Sequence, residues 1–362
     1  MHLAPGIGPC SHLSLKSHGS MMPNPNPIDV LITLPFPEPL VEQLQAVSPL
    51  LRITVHPARR PEEIPADWWR RTEILFTDRV LPEPEQVQNL RWLQLYFAGI
   101  DFALNSPLLK NQEMIVTTLS GAAAPQVAEF AMLLMMTLGH RVLDLLANQV
   151  KAEWSRDRWE RFAPRELRGS TVGILGYGSI GRELSRLLQP YNVTILAAKR
   201  DVMHPKDLGY TPADLGDPDG LLFRRLYPIQ AVHSLIKTCD FVVVALPLTE
   251  ATRNLIDKEE FEIMKSGAFL IDLSRGGIVN HEAMLQALQE HRLAGAALDV
   301  FPEEPLPPTS PLWKLPNVIV TPHIAGASPL YRERAAAMFA ENLRRYVEGE
   351  PLLNRFDSSR GY

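Results

Sequence analysis

The sequence predicts an α/β protein of two domains, each built on a parallel β-sheet. At 362 residues, the chain is long for a single hydrophobic core. Short apolar segments typical of buried strands alternate with helical segments along most of the chain. A strand, a glycine-rich turn and a helix follow one another within residues 171–188, which is the opening unit of a Rossmann-type, doubly wound sheet.

The N-terminal part of the chain predicts a small parallel α/β unit. Strands are predicted at 29–34, 51–55, 73–77, 90–97 and 115–118, and a short amphipathic helix at 39–47. A long helix is then predicted to begin near Pro125, and its apolar part is predicted to run from about Val127 to Leu146. Its apolar residues recur at helical spacing, which predicts a core or subunit-interface face.

The glycine-rich turn lies at the end of a predicted strand, 172–175. Gly176 would make the tight turn, Gly178 would let a pyrophosphate approach the backbone, and Gly181 would let helix and strand pack closely. The N–H groups at the start of the following helix would face the phosphates. The pattern therefore predicts dinucleotide binding, although a tight turn that only requires small residues remains the alternative.

Further strands are predicted at 193–198, 241–246, 269–273, 295–300 and 318–320. Polar residues cluster at the ends of the last three of these strands, at 274–277, 299–304 and 321–326. Ligands of open α/β sheets bind outside the carboxyl ends of the strands, so these groups are candidates for function. The proline- and glycine-rich segment 201–226 is predicted to be a surface excursion.

Composition narrows the class of protein. The net charge of −5 gives no reason to expect a nucleic-acid partner, and no apolar run is long enough to predict a membrane span. The two cysteines, Cys10 and Cys239, indicate a reducing compartment, so we expect a cytoplasmic protein without disulfides. We expect no metal site. Residues 1–27 predict a disordered tail, and Met21 or Met22 is a candidate start.

Seven motifs occur in an order that resembles one known family, the D-isomer-specific 2-hydroxyacid dehydrogenases. This family includes glyoxylate/hydroxypyruvate reductases and phosphoglycerate dehydrogenases, and the resemblance covers about residues 28–362. The motifs are Phe97–Asp101, Val127–Glu129, Gly176–Gly181, Pro247–Thr249, Ser274–Gly277, Asp299–Glu304 and Thr321–Ile324.

The resemblance implies a division of the chain into two domains. A Rossmann-type cofactor domain, residues 123–327, would be inserted into a smaller flavodoxin-like substrate domain formed by 28–122 and 328–362. The active site would lie in the cleft between them. Members of the family are commonly homodimers built around the helix that corresponds to 127–146.

Reduction of a 2-oxo acid needs a proton donor and a cation for the carboxylate, and the sequence offers candidates for both. His323 is the candidate acid/base, because histidine gives and takes protons near neutrality, although a lone histidine is more often structural. Glu304, rather than Glu303, occupies the family position of a carboxylate that would favour the imidazolium. Arg275 is the candidate clamp for the substrate carboxylate, which the backbone of Ala98 and Gly99 would also bind.

The resemblance also implies the coenzyme contacts, with Asp299 holding the nicotinamide amide. The other predicted contacts are Gly176, Gly178, Ser179, Ile180, Gly181, Pro247, Leu273, Ser274, His323 and Gly326. NAD-preferring members usually carry an acid at the end of the second strand, where this chain has Lys199 and Arg200. Two cations would attract a 2′-phosphate, so NADP(H) is favoured. NAD(H) remains open because Asp201 follows.

These residues predict an NAD(P)H-dependent enzyme that interconverts a small 2-oxo acid and its D-2-hydroxy acid. One alternative is an NAD-linked, short-form phosphoglycerate dehydrogenase, since few residues follow His323 to form the regulatory domain of the long forms. An alternative of a different class is a dinucleotide-sensing, corepressor-like interaction protein, because fold does not fix function.

Overall fold

A computed structural model describes residues 26–111, 113–212 and 214–357 and contains two parallel sheets. The first sheet has the order β2-β1-β3-β4-β5. Its strands are β1 (Ile28–Ile32), β2 (Leu51–Val55), β3 (Ile74–Thr77), β4 (Trp92–Leu95) and β5 (Ile115–Thr117). The tail predicted at residues 1–27 falls almost entirely outside the described residues.

The second sheet has seven strands in the order β12-β11-β10-β9-β6-β7-β8. They are β6 (Thr171–Leu175), β7 (Thr194–Lys199), β8 (Arg225–Pro228), β9 (Phe241–Val244), β10 (Ala268–Asp272), β11 (Leu293–Leu298) and β12 (Val318–Val320). All pairs are parallel, and the strand order reverses between β6 and β9. The predicted doubly wound, two-sheet α/β fold is therefore confirmed, and its topological switch point lies beside the glycine turn.

Ten α-helices cover the two sheets within the described residues. They are α1 (Glu38–Gln45), α2 (Ala66–Arg71), α3 (Ala124–Gly139), α4 (Val142–Val150), α5 (Arg158–Arg161), α6 (Ser179–Leu188), α7 (Val232–Ile236), α8 (Lys258–Ile263), α9 (His281–Gln289) and α10 (Tyr331–Glu348). The C-terminal helix α10 packs on the first sheet, where the Phe339 ring lies 4.5 Å from Phe76 and 5.2 Å from Trp92. The buried face of α3 packs on the second sheet.

The prediction of one continuous helix from 127 to 146 is wrong. The chain breaks between α3 and α4, which meet at 63°, because Arg141 adopts a left-handed conformation with φ 54°. The Arg141 Nε donates to the Asp144 carboxylate at 2.7 Å, which stabilises the break. Within the described residues no single helix is long and apolar enough to cross a membrane, and α3 with α4 meets that criterion only as this bent pair.

The segment 201–226, predicted as a surface excursion, ends in the first two residues of the edge strand β8, which the sequence analysis did not predict. Arg225 to Pro228 pair with Leu196 to Lys199 of β7. A four-residue strand that ends in proline carries a weak signal, which is why the pattern missed it. Cys239 is buried, and burial raises the pKa of its thiol to about 12, as an inert core thiol requires. Cys10 lies outside the described residues.

Candidate active site

The glycine turn has the geometry of a phosphate cradle. Gly176 has φ 108°, and a Cβ atom there would lie 2.4 Å from the Ala245 carbonyl oxygen. A Cβ on Gly181 would lie 2.4 Å from the carbonyl of Gly176, whereas a Cβ on Gly178 would meet no atom within 4 Å. Helix α6 begins at Ser179 without a side-chain cap, so its first N–H groups are available to an anion. These features fit the pyrophosphate of a dinucleotide.

The other predicted coenzyme contacts lie at the carboxyl edge of the same sheet. Pro247 follows β9, Leu273 and Ser274 follow β10, Asp299 follows β11 and Gly326 follows β12. Parallel strands bring all of them to one edge, beside the glycine turn. The Ile180 side chain is partly buried against the core beneath α6.

Asp299 fixes the loop that carries His323. Its carboxylate accepts hydrogen bonds from the Thr321 hydroxyl at 2.6 Å and from the backbone N–H groups of Ile324 and Ala325 at 2.9 Å. His323 itself has φ 50°, a conformation that costs an L-residue about 1–2 kcal/mol. Three hydrogen bonds to one buried carboxylate offset that strain. The structure shows that Asp299 fixes this loop by hydrogen bonds. The role predicted for Asp299 at the nicotinamide stays a prediction.

His323 and Glu304 form a hydrogen-bonded pair. The His323 Nδ1 lies 2.7 Å from the Glu304 Oε2, and the other oxygen, Oε1, accepts from the Phe301 N–H at 3.0 Å. Since a carboxylate only accepts, His323 donates from Nδ1, and Nε2 is left to take part in proton transfer. The side chains of His323 and Glu304 are 45% and 35% exposed, so the pair is accessible to a small molecule.

Arg275 reaches from the second sheet to the loop after β4 of the first. Its Nε donates to the Asp101 Oδ2 at 3.1 Å, and its Nη1 donates to the carbonyl of Ser274 at 2.8 Å. A Cβ on Gly99 would lie 1.8 Å from the Arg275 Nη2, so a larger residue there would displace the guanidinium from this position. The predicted substrate loop, Ala98 and Gly99, is thus in direct contact with the predicted carboxylate clamp.

Lys199 is the last residue of β7, and Arg200 follows it. The Lys199 Nζ donates to the His204 carbonyl at 2.8 Å. Asp201, the acid that follows these two cations, is engaged with the His204 ring at 2.8 Å and the Met203 N–H at 3.1 Å. These contacts, above all the hydrogen bond from His204, lower the pKa of Asp201.

Asp272 is a buried acid that the motif analysis missed. Its Oδ1 accepts from the backbone N–H of Ser274 at 3.1 Å and from the Ser274 hydroxyl, while Oδ2 has no partner among the described residues. Complete burial and, to a smaller extent, the nearby charge of Asp299 raise the pKa of the Asp272 carboxyl to about 7. The signal that could have identified Asp272 is its position, since it is an acid directly after the apolar run Phe269–Ile271.

Two other contacts of the site carry no signal in the sequence. Asp101 lies in a predicted motif, but nothing in the pattern pairs it with Arg275, 174 positions away. Tyr177, inside the glycine turn, donates its hydroxyl to the Asp217 carboxylate at 2.6 Å across 40 positions. Such long-range pairs depend on how the two sheets and the 201–226 segment pack.

Taken together, the switch-point cradle, the histidine–carboxylate pair and the arginine define a dinucleotide-dependent oxidoreductase. A model of the family described as "D-isomer specific 2-hydroxyacid dehydrogenase, NAD binding domain" matches residues 132–325. A glyoxylate reductase from Thermofilum pendens is 33% identical over 279 residues, which cover 76% of this chain and 78% of the relative. A D-3-phosphoglycerate dehydrogenase from Methanocaldococcus jannaschii is 29% identical over 74% of this chain but only 47% of its own length.

A solved structure gives the same result. The D-isomer specific 2-hydroxyacid dehydrogenase from Xanthobacter autotrophicus, crystallised with NADPH and MES, superposes with a TM-score of 0.73 at 26% identity. The match covers 93% of this chain and 100% of that one. This chain belongs to the D-isomer-specific 2-hydroxyacid dehydrogenase family, and it is an NAD(P)-dependent oxidoreductase that acts on CH–OH groups.

Proposed function

We propose that this enzyme is an NADPH-preferring reductase of a small 2-oxo acid, such as glyoxylate or hydroxypyruvate. The observation that carries the proposal is the 2.7 Å contact between the His323 Nδ1 and the Glu304 Oε2, at the edge of the sheet that holds the glycine cradle. The similarity to a glyoxylate reductase that covers most of both chains supports the substrate class.

The proposed chemistry needs three groups of this chain. The Arg275 guanidinium binds the substrate carboxylate, with the Ala98–Gly99 backbone on the other side. The imidazolium of His323 then donates its Nε2 proton to the carbonyl oxygen as the carbonyl carbon is reduced. Glu304 holds the ring by Nδ1 and stabilises its charged form before the transfer. Bound NADPH would supply the hydride, so the 2-oxo acid gains one hydride and one proton.

Asp101 occupies part of the proposed carboxylate site. Its carboxylate, 54% exposed, lies against the same guanidinium that we assign to the substrate. A substrate carboxylate must therefore bind the remaining N–H groups of Arg275 or displace Asp101. Because both anions would lie close to one cation, Asp101 is expected to weaken substrate binding moderately while it keeps Arg275 extended toward Gly99.

The coenzyme preference is proposed from the cations at the end of β7. Lys199 and Arg200 stand where an acid would select NAD(H), and Asp201 is held by His204. The test is the double change Lys199→Asp with Arg200→Ser. We expect the ratio of kcat/KM for NADPH to that for NADH to fall by about tenfold or more. A ratio equal to that of the unaltered enzyme rules out this assignment.

We also propose that the domain boundaries lie near residues 123 and 327.

We further propose that the enzyme is a homodimer. Large apolar side chains are exposed on and after α3: Leu133, Leu145, Leu146, Val150, Trp154 and Trp159. Trp154 is 85% exposed and Trp159 is 79% exposed, an arrangement typical of an interface. Analytical ultracentrifugation should give the mass of two chains, and Trp154→Glu should shift the equilibrium toward one. A single chain at micromolar concentration contradicts the dimer.

A further inference from the structure

Hydrogen bonds join the segment 201–224 to the glycine turn and to α6, the helix that follows the turn. Gly216 donates its N–H to the buried Glu183 of α6 at 2.6 Å. At another point Tyr210 donates its N–H to the Asn354 Oδ1 at 3.1 Å. The segment is therefore hydrogen-bonded both to α6, the helix that follows the glycine turn, and to the C-terminal part of the chain.

Arg182 is the centre of this attachment. It follows Gly181 directly on α6, yet its side chain is only 2% exposed. Its Nη1 donates to the carbonyl of Asp217 and its Nη2 to that of Pro205, each at 2.5 Å. Its Nε lies 3.4 Å from the Asp207 carboxylate. A buried guanidinium is costly unless acceptors match its N–H groups. Here the carbonyls of Asp217 and Pro205 accept from Nη1 and Nη2, while Nε, near the Asp207 carboxylate, has no hydrogen-bond partner among the described residues.

Tyr177 supports the same attachment from inside the glycine turn. The guanidinium carbon of Arg182 lies 5.0 Å from the centre of the Tyr177 ring. The Tyr177 hydroxyl donates to the carboxylate of Asp217, which also accepts the N–H groups of Leu221 and Leu222. Arg182 thus fixes Asp217 through the backbone carbonyl of Asp217, and Tyr177 fixes it through the carboxylate.

The segment in turn fixes Lys199. The carbonyls of two consecutive residues, His204 and Pro205, bind two different cations: His204 binds the Lys199 Nζ, and Pro205 binds Arg182. A shift of this peptide would release Lys199. Partial burial lowers the pKa of the Lys199 ammonium, and the nearby charge of Arg182 lowers it further. Such a desolvated cation gains from an added anion.

We propose that Arg182 is a positioning residue for coenzyme selection. By binding the carbonyls of Pro205 and Asp217, it holds the 201–224 segment so that the His204 carbonyl directs the Lys199 ammonium toward the 2′-phosphate of NADP(H). The inference rests on the proposed preference for NADPH. It assigns to the buried Arg182, acting through Lys199, a part of the difference in affinity between the two coenzymes.

The test is a set of equilibrium dissociation constants for NADPH and NADH, measured by calorimetry on the full-length protein. Arg182→Lys keeps the charge but loses the fork, and we expect it to weaken NADPH binding by about three- to tenfold, with NADH binding within twofold. Lys199→Met should weaken NADPH binding by about tenfold. In the Lys199→Met background, Arg182→Lys should have no further effect on the ratio of the two constants.

A matched control is Arg165→Lys, because Arg165 forms an ion pair with Asp240 at 2.9 Å and has no hydrogen bond or ion pair with the glycine turn or with the described residues of 201–224. It should leave both constants unchanged. If Arg182→Lys fails to fold, Tyr177→Phe removes only the hydroxyl that holds Asp217 and should weaken NADPH binding in the same direction, by a smaller factor.

The outcomes separate the inference from the proposed function. An unchanged ratio in Lys199→Met overturns the NADPH preference itself, and the inference with it. A changed ratio in Lys199→Met with an unchanged ratio in Arg182→Lys overturns the inference alone. Equal losses for both coenzymes in Arg182→Lys show a purely structural role, and full additivity in the double variant shows that Arg182 does not act through Lys199.

Discussion

Replacement of Glu304 by glutamine tests the proposed acid–base pair without changing the size of the side chain. In the structure the carboxylate accepts two donors, the His323 Nδ1–H at 2.7 Å and the Phe301 N–H at 3.0 Å, one on each oxygen. An amide has one oxygen and one NH₂ group. In either orientation Glu304→Gln therefore sets a donor against a donor whenever His323 is the imidazolium.

The magnitude follows from that conflict. Leaving a donor without an acceptor costs about 1–3 kcal/mol. Because the His323 and Glu304 side chains are 45% and 35% exposed, water compensates in part, and we take about 1–2 kcal/mol. The expected loss in kcat for reduction of a 2-oxo acid is then about five- to thirtyfold.

The assay is the initial rate of NADPH oxidation at saturating coenzyme and substrate, followed from pH 5 to 9. The matched control is Glu303→Gln, which removes a neighbouring exposed carboxylate and should leave kcat within twofold. If Glu304→Gln and Glu303→Gln give the same kcat at every pH, Glu304 does not stabilise the imidazolium and the assignment of the pair is wrong.

Two further predictions concern Asp272 and Asp101. Burial raises the pKa of Asp272 from 3.8 to about 7 in the folded protein, so the folded state binds the proton more tightly, and this carboxyl makes stability fall as pH rises from about 4 to 7. Asp272→Asn should remove up to about 4 kcal/mol of that fall in the free energy of unfolding. The free energy of unfolding is measured by urea denaturation at several pH values. If it depends on pH in the same way in the variant and in the unaltered protein, the prediction is wrong. Asp101→Asn should lower the KM for the 2-oxo acid about two- to fivefold, because an exposed anion no longer competes for Arg275. A tenfold rise in KM would instead show that Asp101 mainly orients Arg275.

The sequence carries the local part of this structure well. The glycine spacing at 176–181 predicts the strand–turn–helix unit, and the alternation of strands and helices predicts the confirmed two-sheet fold. The family motifs name His323 and Glu304, which the structure places in contact. Each of these features depends on neighbouring residues or on the common edge of a parallel sheet, and both are visible in a sequence.

The features that the sequence did not predict depend on long-range packing. The break at Arg141 follows from one left-handed residue, and apolar spacing continues across it. The contact of Arg275 with Asp101 requires the two sheets to face each other, and the burial of Arg182 requires the 201–224 segment to fold back on α6. No periodicity or motif spacing encodes such contacts.

The central claim is most directly tested by the loss of absorbance of NADPH when purified enzyme is offered glyoxylate, hydroxypyruvate, pyruvate, phenylpyruvate and 3-phosphohydroxypyruvate in turn. We predict turnover with a small 2-oxo acid that is faster with NADPH than with NADH and that falls about 100-fold or more in His323→Ala. Turnover that His323→Ala retains, or no turnover with any of the five acids despite tight NADPH binding, would contradict the account.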